Sequence, residues 1–525
     1  MQQNTLGFWD DIIGDVADNI YPFNDFMLKE FRKREVGKSK QFMDIVYREA
    51  VAVKPYDNCI KYLGYRVLSP EERISFKIDN PLIKGQYDIQ NTELELVEFS
   101  FEFQNELFLV HLYLPYMFNN AITISDTQYH IQLAIIERTI YRVRDGVIIK
   151  VLRSPLHFWR SETLSFKSIN GDNVYHEAVL TVKAFHKKGT KTHKKDIKST
   201  LLLYLLCRFG LLGVLEKFGL EKEDLYFDKE PKKFSKEYEC FQCKPNVYLC
   251  VRRDKFTNIN VRRIVASLLY MLNFFTHTAE TYDIPSLYDR HCNFWKVVLG
   301  KCCYGMNVKA AMAINHAEPH LASVSTLLDH MTRGALNRMN IPCNDIYDMF
   351  YQVFINLDLW LVNHQSNNLF DKKIGVLESL LSDIVKNTFR RFYEQSRQQK
   401  IITSKSIRRL LKMHNKSISR IYTNNIVRSN PSVYNDNWLL SIGGKKVRER
   451  ANQFKSTRGA NLLRSKEHLL HPSMVVIESI ATIPSSNPGV GGSINPFCVI
   501  DFEDGSMIRP EWAEEVEALT PYIPQ

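Results

Sequence analysis

The sequence lacks the features of secreted, membrane-spanning and disordered proteins. It has no run of about 18 uninterrupted apolar residues, and the best candidate, Leu201 to Leu215, contains Arg208 and Gly210, which favours a buried helix. The N-terminus has no basic stretch followed by an apolar one, so we expect no signal peptide and no membrane association. The ten cysteines show no disulfide-like spacing, which favours a reducing, cytoplasmic compartment. With 45% hydrophobic residues, the chain can bury a large core.

Motifs of the common catalysts are missing as well. The sequence has no Gly-rich dinucleotide fingerprint, no serine elbow, no kinase motif set and no Asp-x-Asp-x-Asp triad. Asp501, Glu503 and Asp504 lie close together, but Gly505 predicts a turn at that point. We therefore assign no catalytic residue and no cofactor to this chain, and whether it is an enzyme stays open.

Positive charge is concentrated in one segment. The 525 residues contain 69 Lys and Arg against 58 Asp and Glu, a net charge of +11. Residues 386–466 hold 20 Lys and Arg against three acidic residues, a net charge of +17, which leaves −6 for the remainder. Because neutralising phosphates releases counterions, such a segment favours nucleic acid. The alternative is a solvated basic loop without a defined ligand.

Hydrophobic periodicity predicts a multidomain α+β chain. Val97, Phe99, Phe101 and Phe103 alternate with polar residues, as in a half-buried strand. Asp145–Gly146 signals a hairpin within a β-rich region that extends from about 90 to 185. A basic polar loop over 186–198, an apolar helix over 200–218 and a mostly helical stretch over 262–399 follow. We divide the chain into a mixed segment over 1–185, a mostly helical segment over 186–385 and an irregular basic segment over 386–525.

Three cysteines offer a weak metal site. Cys240-x2-Cys243 could supply two thiolates to zinc, and Cys250 could supply a third. A structural zinc site needs four ligands, and the sequence contains no second Cys-x-x-Cys pair. Zinc is therefore not expected, although a zinc-stabilised enzyme remains a minor hypothesis.

The C-terminal basic segment carries the most informative motifs. Gly443–Gly444 permits close backbone approach, and a second glycine-rich stretch ends at Gly491–Gly492. Guanidinium and ammonium groups on such loops suit phosphate contacts. The expected nucleic-acid-binding residues are Lys445, Lys446, Arg448, Arg450, Arg458, Arg464 and Lys466. The expected loop organisers are His471, Pro472, Asn487 and Gly491.

These motifs resemble the fork region of the β subunit of multisubunit RNA polymerases. The stretch Gly443-Gly444-x3-Arg448-Glu449-Arg450-Ala451 is similar to the family's Gly-Gly-Leu-Thr-Arg-Glu-Arg-Ala, with one extra residue before the arginine. His471-Pro472-Ser473 follows in the family's order, and Ser485–Ser486 replaces the Glu-Gly of the later proline motif. Upstream, Val151-Leu152-Arg153-Ser154-Pro155 resembles the β motif Arg-Ser-Pro.

The resemblance implies the N-terminal part of a split β subunit, as large DNA phages encode. The 1–185 segment would then be protrusion-like, 186–385 lobe-like and 386–525 fork-like, and the chain would line the channel that holds DNA. Partners would be DNA or RNA, a β′-like subunit that carries the catalytic magnesium, and a C-terminal β-like subunit. Arg153 would be structural or close to DNA. The alternative is a stand-alone phage nucleic-acid-binding protein or a structural protein of the virion.

Overall fold

A computed structural model describes most residues from 39 to 411, with gaps that include 80–93, 116–121 and 183–198. Beyond 411 it describes 426–428, 446–449, 472–473, 476, 491–493, 499–501 and 505–519. The chain forms two compact units, Met1–Arg138 with His364–Gln525, and Thr139–Asn363. The predicted α+β class is confirmed. The assignment of protrusion-like, lobe-like and fork-like segments stays a prediction.

The N-terminal part of the first unit joins one amphipathic helix to a sheet. Its elements are α1 (Ser39–Val51), β1 (Lys61–Val67), α2 (Pro70–Asp79), β2 (Leu94–Phe103), β3 (Glu106–Pro115), β4 (Ile122–Ile124), β5 (Thr127–Ile131) and β6 (Leu133–Glu137). Strands β1, β2 and β3 form an antiparallel sheet in that order. Tyr47 of α1 packs its ring 4.9 Å from Phe99 and 5.2 Å from Phe101, between ring centroids. The alternating pattern therefore buries one face of β2 under α1.

The turn between β2 and β3 uses two left-handed residues. Gln104 and Asn105 have φ of 51° and 62°, and Phe103 pairs directly with Glu106. Positive φ at both central positions is the two-residue hairpin geometry that matches the strand twist. The predicted strand over 97–103 is thus confirmed, and β3 pairs with it along its whole length.

The second unit combines small sheets with a helical core. Its strands are β7 (Ile140–Val143), β8 (Gly146–Lys150), β9 (Pro155–Arg160), β10 (Leu164–Lys167), β11 (Asn173–His176), β12 (Leu180–Val182), β13 (Leu225–Asp228), β14 (Tyr238–Lys244) and β15 (Val247–Arg252). Its helices are α3 (Leu201–Lys217), α4 (Arg253–Phe256), α5 (Ile259–Thr276), α6 (Ile284–Leu287), α7 (Asn293–Tyr304), α8 (Ala310–Ser325), α9 (His330–Arg338) and α10 (Ile346–Asn363). The hairpin predicted at Asp145–Gly146 is confirmed between β7 and β8. Gly146 does not belong to its turn, because this residue already pairs with Val143 as the first residue of β8.

Helix α3 forms the centre of this unit, as its apolar sequence predicts. The Thr200 side chain caps the helix by accepting a hydrogen bond of 3.2 Å from the Leu203 backbone N–H. Gly210 breaks the helical path with φ of 70° and ψ of 177°, a conformation that favours glycine. The helix ends before Gly219, which has φ of 67°. In the described part of the chain, no helix is both long and apolar enough to cross a membrane.

The C-terminal part of the first unit contains short strands and two basic helices. Its elements are β16 (Lys372–Gly375), α11 (Ser382–Gln398), α12 (Ser404–Leu411), β17 (Ile426–Arg428), β18 (Lys446–Glu449), β19 (Gly491–Ser493), β20 (Val499–Ile500), β21 (Met507–Ile508) and α13 (Ala513–Leu519). A single-turn 3-10 helix, Leu369–Asp371, precedes β16. Several of these strands pair with β5 and β6, so distant parts of the chain share sheets.

Candidate nucleic-acid interface

A four-stranded mixed sheet contains two of the predicted basic residues, Lys446 and Arg448, in the first unit. Its strand order is β16-β6-β18-β19. Strand β18 runs parallel to β6, whereas β16 pairs antiparallel with β6 and β19 pairs antiparallel with β18. The sheet therefore joins four segments that are far apart in sequence, with the basic strand β18 in its interior.

Two predicted nucleic-acid-binding residues and one predicted loop organiser meet in this sheet. Lys446 pairs with Ser493, and Arg448 pairs with Gly491, across β18 and β19. Both motifs of the fork resemblance thus lie side by side, although they are separated in sequence. Because glycine has no side chain, a strand of glycines permits close approach of another backbone or of a ligand.

An ion pair holds β16 and β6 together at the other side of the sheet. Lys372 and Glu137 lie directly opposite each other, and Lys372 Nζ is 2.5 Å from Glu137 Oε1. The Lys372 side chain is only 4% exposed, so loss of its partner would leave a buried charge. Next to Glu137, Arg138 donates a hydrogen bond of 3.0 Å to the backbone carbonyl of Met507 in β21.

The serine of the His-Pro-Ser motif is fixed beside the same sheet by a hydrogen bond. Ser473 is fully buried, and its Oγ accepts a hydrogen bond of 3.0 Å from the backbone N–H of Leu369. Leu369 opens the 3-10 turn that leads directly into β16. Pro472 is exposed. Ser473 was not among the expected loop organisers, but its hydrogen bond to Leu369 gives it that role.

A second small sheet attaches the basic segment to the N-terminal strands. Strand β17 pairs antiparallel with β5, with Ile426 opposite Ile131 and Arg428 opposite Tyr129. Strand β4 covers the other side of β5. The basic segment is thus joined to the 122–137 region by two separate strand pairings, at β17 and at β18.

Arg153 lies in the second unit, close to Thr326 and Asp329, two residues that no sequence motif indicated. Its Nη1 donates a hydrogen bond of 2.8 Å to Thr326 Oγ1. The adjacent Leu152 backbone N–H donates to Asp329 Oδ2 at 2.7 Å. Asp329 is the N-cap of α9 and also accepts hydrogen bonds of 2.7 Å from the N–H and the hydroxyl of Thr332. Asp329 therefore holds Leu152, the residue before Arg153, while contact of Arg153 with DNA stays a prediction.

The other predicted residues lie outside the part of the chain that the structure describes. They are Lys445, Arg450, Arg458, Arg464, Lys466, His471 and Asn487. Their roles stay predictions. By contrast, the turn predicted at Gly505 is confirmed, because Gly505 has φ of 77° and its N–H donates to the carbonyl of Asp501 at 2.9 Å.

The three candidate zinc ligands are buried in one small sheet of the second unit. Cys240 of β14 and Cys250 of β15 lie directly opposite each other. Burial raises the pKa of the Cys243 thiol to about 12, which opposes the thiolate form that zinc requires. Among the described residues, no three His, Cys, Asp or Glu side chains form a group that could hold a metal ion. The absence of zinc from the chain stays a prediction.

A family comparison identifies the class of protein that combines these features. A family described as "Non-virion RNA polymerase subunit" matches residues 10–508. The chain is therefore an RNA polymerase subunit, a viral protein of transcription that works within a multisubunit complex. It belongs to the non-virion RNA polymerase subunit family. No curated protein sequence matches it. The family description does not support the alternative of a structural protein of the virion.

Proposed function

We propose that this chain is the N-terminal β-like part of a multisubunit DNA-dependent RNA polymerase and that its basic fork-like segment lines the DNA channel. Within the complex it holds nucleic acid and does not supply the catalytic metal ligands. Its partners are a β′-like subunit, which carries the magnesium, and a C-terminal β-like subunit. As part of a phage polymerase it acts in the host cytoplasm.

The pairing of Arg448 with Gly491 carries this proposal. In the sequence, the Gly-Gly-x3-Arg-Glu-Arg stretch and the later proline-glycine stretch resemble one functional region of β subunits. Parts of both stretches pair in one sheet, as expected if they form one functional region. The register of β18 and β19, together with the Ser473 anchor beside β16, is consistent with a single fork-like element.

The charge distribution supports contact with the nucleic-acid backbone. The segment 386–466 has a net charge of +17, while the rest of the chain is mildly acidic. Phosphate contacts by Lys and Arg give binding that is largely independent of sequence and weakens steeply with salt. A subunit that holds template and downstream DNA without reading a promoter needs this kind of binding.

The proposal is tested by purification of the tagged chain from infected host cells, followed by mass spectrometry and an RNA synthesis assay. We expect two large partners, one of which contains an Asp-x-Asp-x-Asp sequence, and DNA-dependent RNA synthesis by the eluate. Co-purification with a β′-like chain and with a complete β subunit would contradict the β-like assignment, because that place in the complex would already be occupied.

A further inference from the structure

The antiparallel sheet of β1, β2 and β3 has two faces with different surroundings. One face packs against α1 through Phe99 and Phe101, whose rings contact Tyr47. The residues of β3 that pair with these phenylalanines share this face. Because successive residues of a strand point to opposite faces, Leu107 and Leu109 lie on the other one, which we call the outer face. Both leucines are exposed there, by 57% and 45%.

A bulge in β1 adds a third leucine to the outer face. Tyr62 and Tyr65 both lie on the α1 face, where their rings pack against phenylalanines of β2. The pairing register shifts between Tyr62 and Gly64, so β1 contains one extra residue at this point. Because the two tyrosines share the α1 face, Leu63 and Gly64 between them lie on the outer face. Leu63 is 55% exposed.

Small residues separate the leucines, so the apolar surface is a trough. Gly64 lies directly opposite Ser100, which lies directly opposite Leu109. Among the described residues, a Cβ at Gly64 would meet no atom within 4 Å. Neighbouring strands are about 4.8 Å apart, so the leucine of β1 and those of β3 lie about 10 Å apart, close to the width of an α-helix. We call Leu63, Leu107 and Leu109, with Gly64 and Ser100 between them, the leucine trough.

The end of the leucine trough beside the β2–β3 turn presents positive charge. Lys61 lies directly opposite Glu102, with 3.7 Å between Nζ and Oε1. Arg408 of α12 forms an ion pair with Glu106, the residue before Leu107. In both ion pairs the basic side chain is the more exposed member, by 76% against 31% and by 69% against 37%. A partner that approaches this end therefore meets an ammonium and a guanidinium group before the carboxylates.

The opposite end of the leucine trough is closed by a polar network under α2. Glu98 is buried and accepts a hydrogen bond of 2.7 Å from Arg66 Nε, and its second carboxylate oxygen lies 2.9 Å from His111 Nε2. The Phe76 ring of α2 lies 4.5 Å from the His111 ring, between centroids. The open part of the outer face is therefore limited to the stretch between this network and the β2–β3 turn.

We propose that the leucine trough binds an amphipathic helix of another polymerase subunit, with acidic residues where the helix meets Lys61 and Arg408. A contiguous exposed apolar patch with a polar rim marks a protein interaction site. The other face of the same sheet already carries a helix, α1, and a second helix would complete a layered helix–sheet–helix arrangement. The inference requires only that the chain is a subunit of a multisubunit polymerase. It does not depend on the β-like assignment.

The first experiment compares subunit ratios in the polymerase purified through the tagged full-length chain. L107Q/L109Q makes the trough polar, and L212Q/L359Q is the matched control, because it changes two leucines of similar exposure on helices of the second unit. In L107Q/L109Q the ratio of one polymerase subunit to the tagged chain should fall about tenfold. The control should keep wild-type ratios, and both variants should keep the wild-type melting temperature. Wild-type ratios for L107Q/L109Q, or loss of the same subunit from the control, would overturn the inference.

The charge of the occupant is tested separately at Lys61, whose exposed side chain can be changed without disturbing the core. Lys61→Glu should release the same subunit at a lower salt concentration than the wild type, because the two acidic surfaces would repel each other. Lys61→Arg keeps the charge and should behave as the wild type. Release of the subunit at the same salt concentration from both variants would contradict an acidic partner.

Photo-cross-linking identifies the occupant directly. A photoreactive amino acid at position 107 should link to a segment of another polymerase subunit with apolar residues at helical spacing and neighbouring acidic residues, and one at position 212 should not link to that segment. Links only within this chain, between two copies of it or to nucleic acid would overturn the inference.

The same purification separates this inference from the proposed function. Capture of such a helix in a complex that has no subunit with an Asp-x-Asp-x-Asp sequence would support the leucine trough and contradict the β-like assignment. Recovery of β′-like and C-terminal β-like partners, with wild-type subunit ratios for L107Q/L109Q, would remove the trough and leave the proposed function intact.

Discussion

Arg448 lies directly opposite Gly491 in an antiparallel strand pair, and its strand also runs parallel to β6. This relationship joins two motifs of the C-terminal part to a strand that precedes them by about 300 residues in sequence. Strand β18 is flanked on both sides, so its backbone position depends on β6 as well as on β19. The basic strand is therefore held by the sheet and is not an unanchored loop.

A proline within β18 tests whether this sheet forms. Val447 pairs with Leu133 on one side and with Gly492 on the other. Proline lacks the backbone N–H and is excluded from interior strands, so Val447→Pro should disrupt both pairings. We expect limited trypsin digestion of the full-length chain to cleave after Arg448 much faster in this variant; the bond after Lys446 is not scored, because trypsin does not cleave a Lys–Pro bond.

Val447→Ile is the matched control for the proline variant. Isoleucine keeps the β-branched side chain and the N–H, so it should leave the cleavage rate after Arg448 near that of the wild type. Equal cleavage rates for the proline variant, the isoleucine variant and the wild type would show that β18 is not held in a sheet.

Asp329 is predicted to stabilise the second unit through three hydrogen bonds. Asp329→Ala removes the cap of α9 and leaves the half-buried Leu152 N–H without its acceptor. Loss of a helix cap costs about 1 kcal/mol, and an unsatisfied buried group costs about 1–3 kcal/mol more. Urea denaturation should show a decrease of about 2–4 kcal/mol in the free energy of unfolding. Asp329→Asn, which keeps an acceptor oxygen, should lose less; equal losses in both variants would contradict the hydrogen-bond account.

Gly300 marks a close contact between α7 and α8. A Cβ at this position would lie 2.2 Å from the carbonyl oxygen of Ala313, a backbone atom that cannot move without the helix. Gly300→Ala should therefore reduce the free energy of unfolding by the overpacking cost of about 1–3 kcal/mol or more. The melting temperature should fall accordingly. Gly334 in α9 is the control, since the nearest atom is the end of the Arg338 side chain at 3.8 Å. Gly334→Ala should be neutral or stabilising because alanine favours helices, and equal destabilisation of both variants would contradict the packing.

Buried thiols predict a loss of stability at alkaline pH. Burial raises the pKa of Cys243 from 9.0 to about 12, so the thiol stays protonated in the folded chain while it ionises in the unfolded chain above pH 9. Its contribution is fully present below pH 9 and decreases as the pH rises towards 12. At pH 10 the loss is about 1.4 kcal/mol for this thiol. Urea denaturation at pH 7.5 and pH 10 should show a smaller pH-dependent decrease for Cys243→Ala, and an unchanged decrease would contradict the raised pKa.

Local patterns predicted the elements whose cause is local. The alternation of Phe99, Phe101 and Phe103 indicated β2, because period two places these side chains on one face. Thr200 and Gly219 marked the ends of α3, since the cap and the left-handed position act within one helical turn. The mixed class and the buried nature of α3 followed from the same signals.

Long-range pairings could not be predicted from such patterns. The parallel alignment of β18 with β6 depends on backbone hydrogen bonds between segments about 300 residues apart, and no local residue preference encodes that register. Asp329 was missed for a similar reason, because its role depends on the approach of Leu152 from another part of the chain. The two-unit division also arises from chain segments that meet again after a long excursion.

Site-specific photo-cross-linking during transcription shows whether the fork-like segment contacts DNA. A photoreactive amino acid is incorporated at position 446, close to Arg448 in β18, and the polymerase is illuminated during transcription. Position 229 in the second unit serves as the control. We expect a cross-link from position 446 to the DNA of the transcribing complex and none from position 229. Cross-links from position 446 to protein alone, in a complex that still synthesises RNA, would contradict the role of the fork-like segment in the DNA channel.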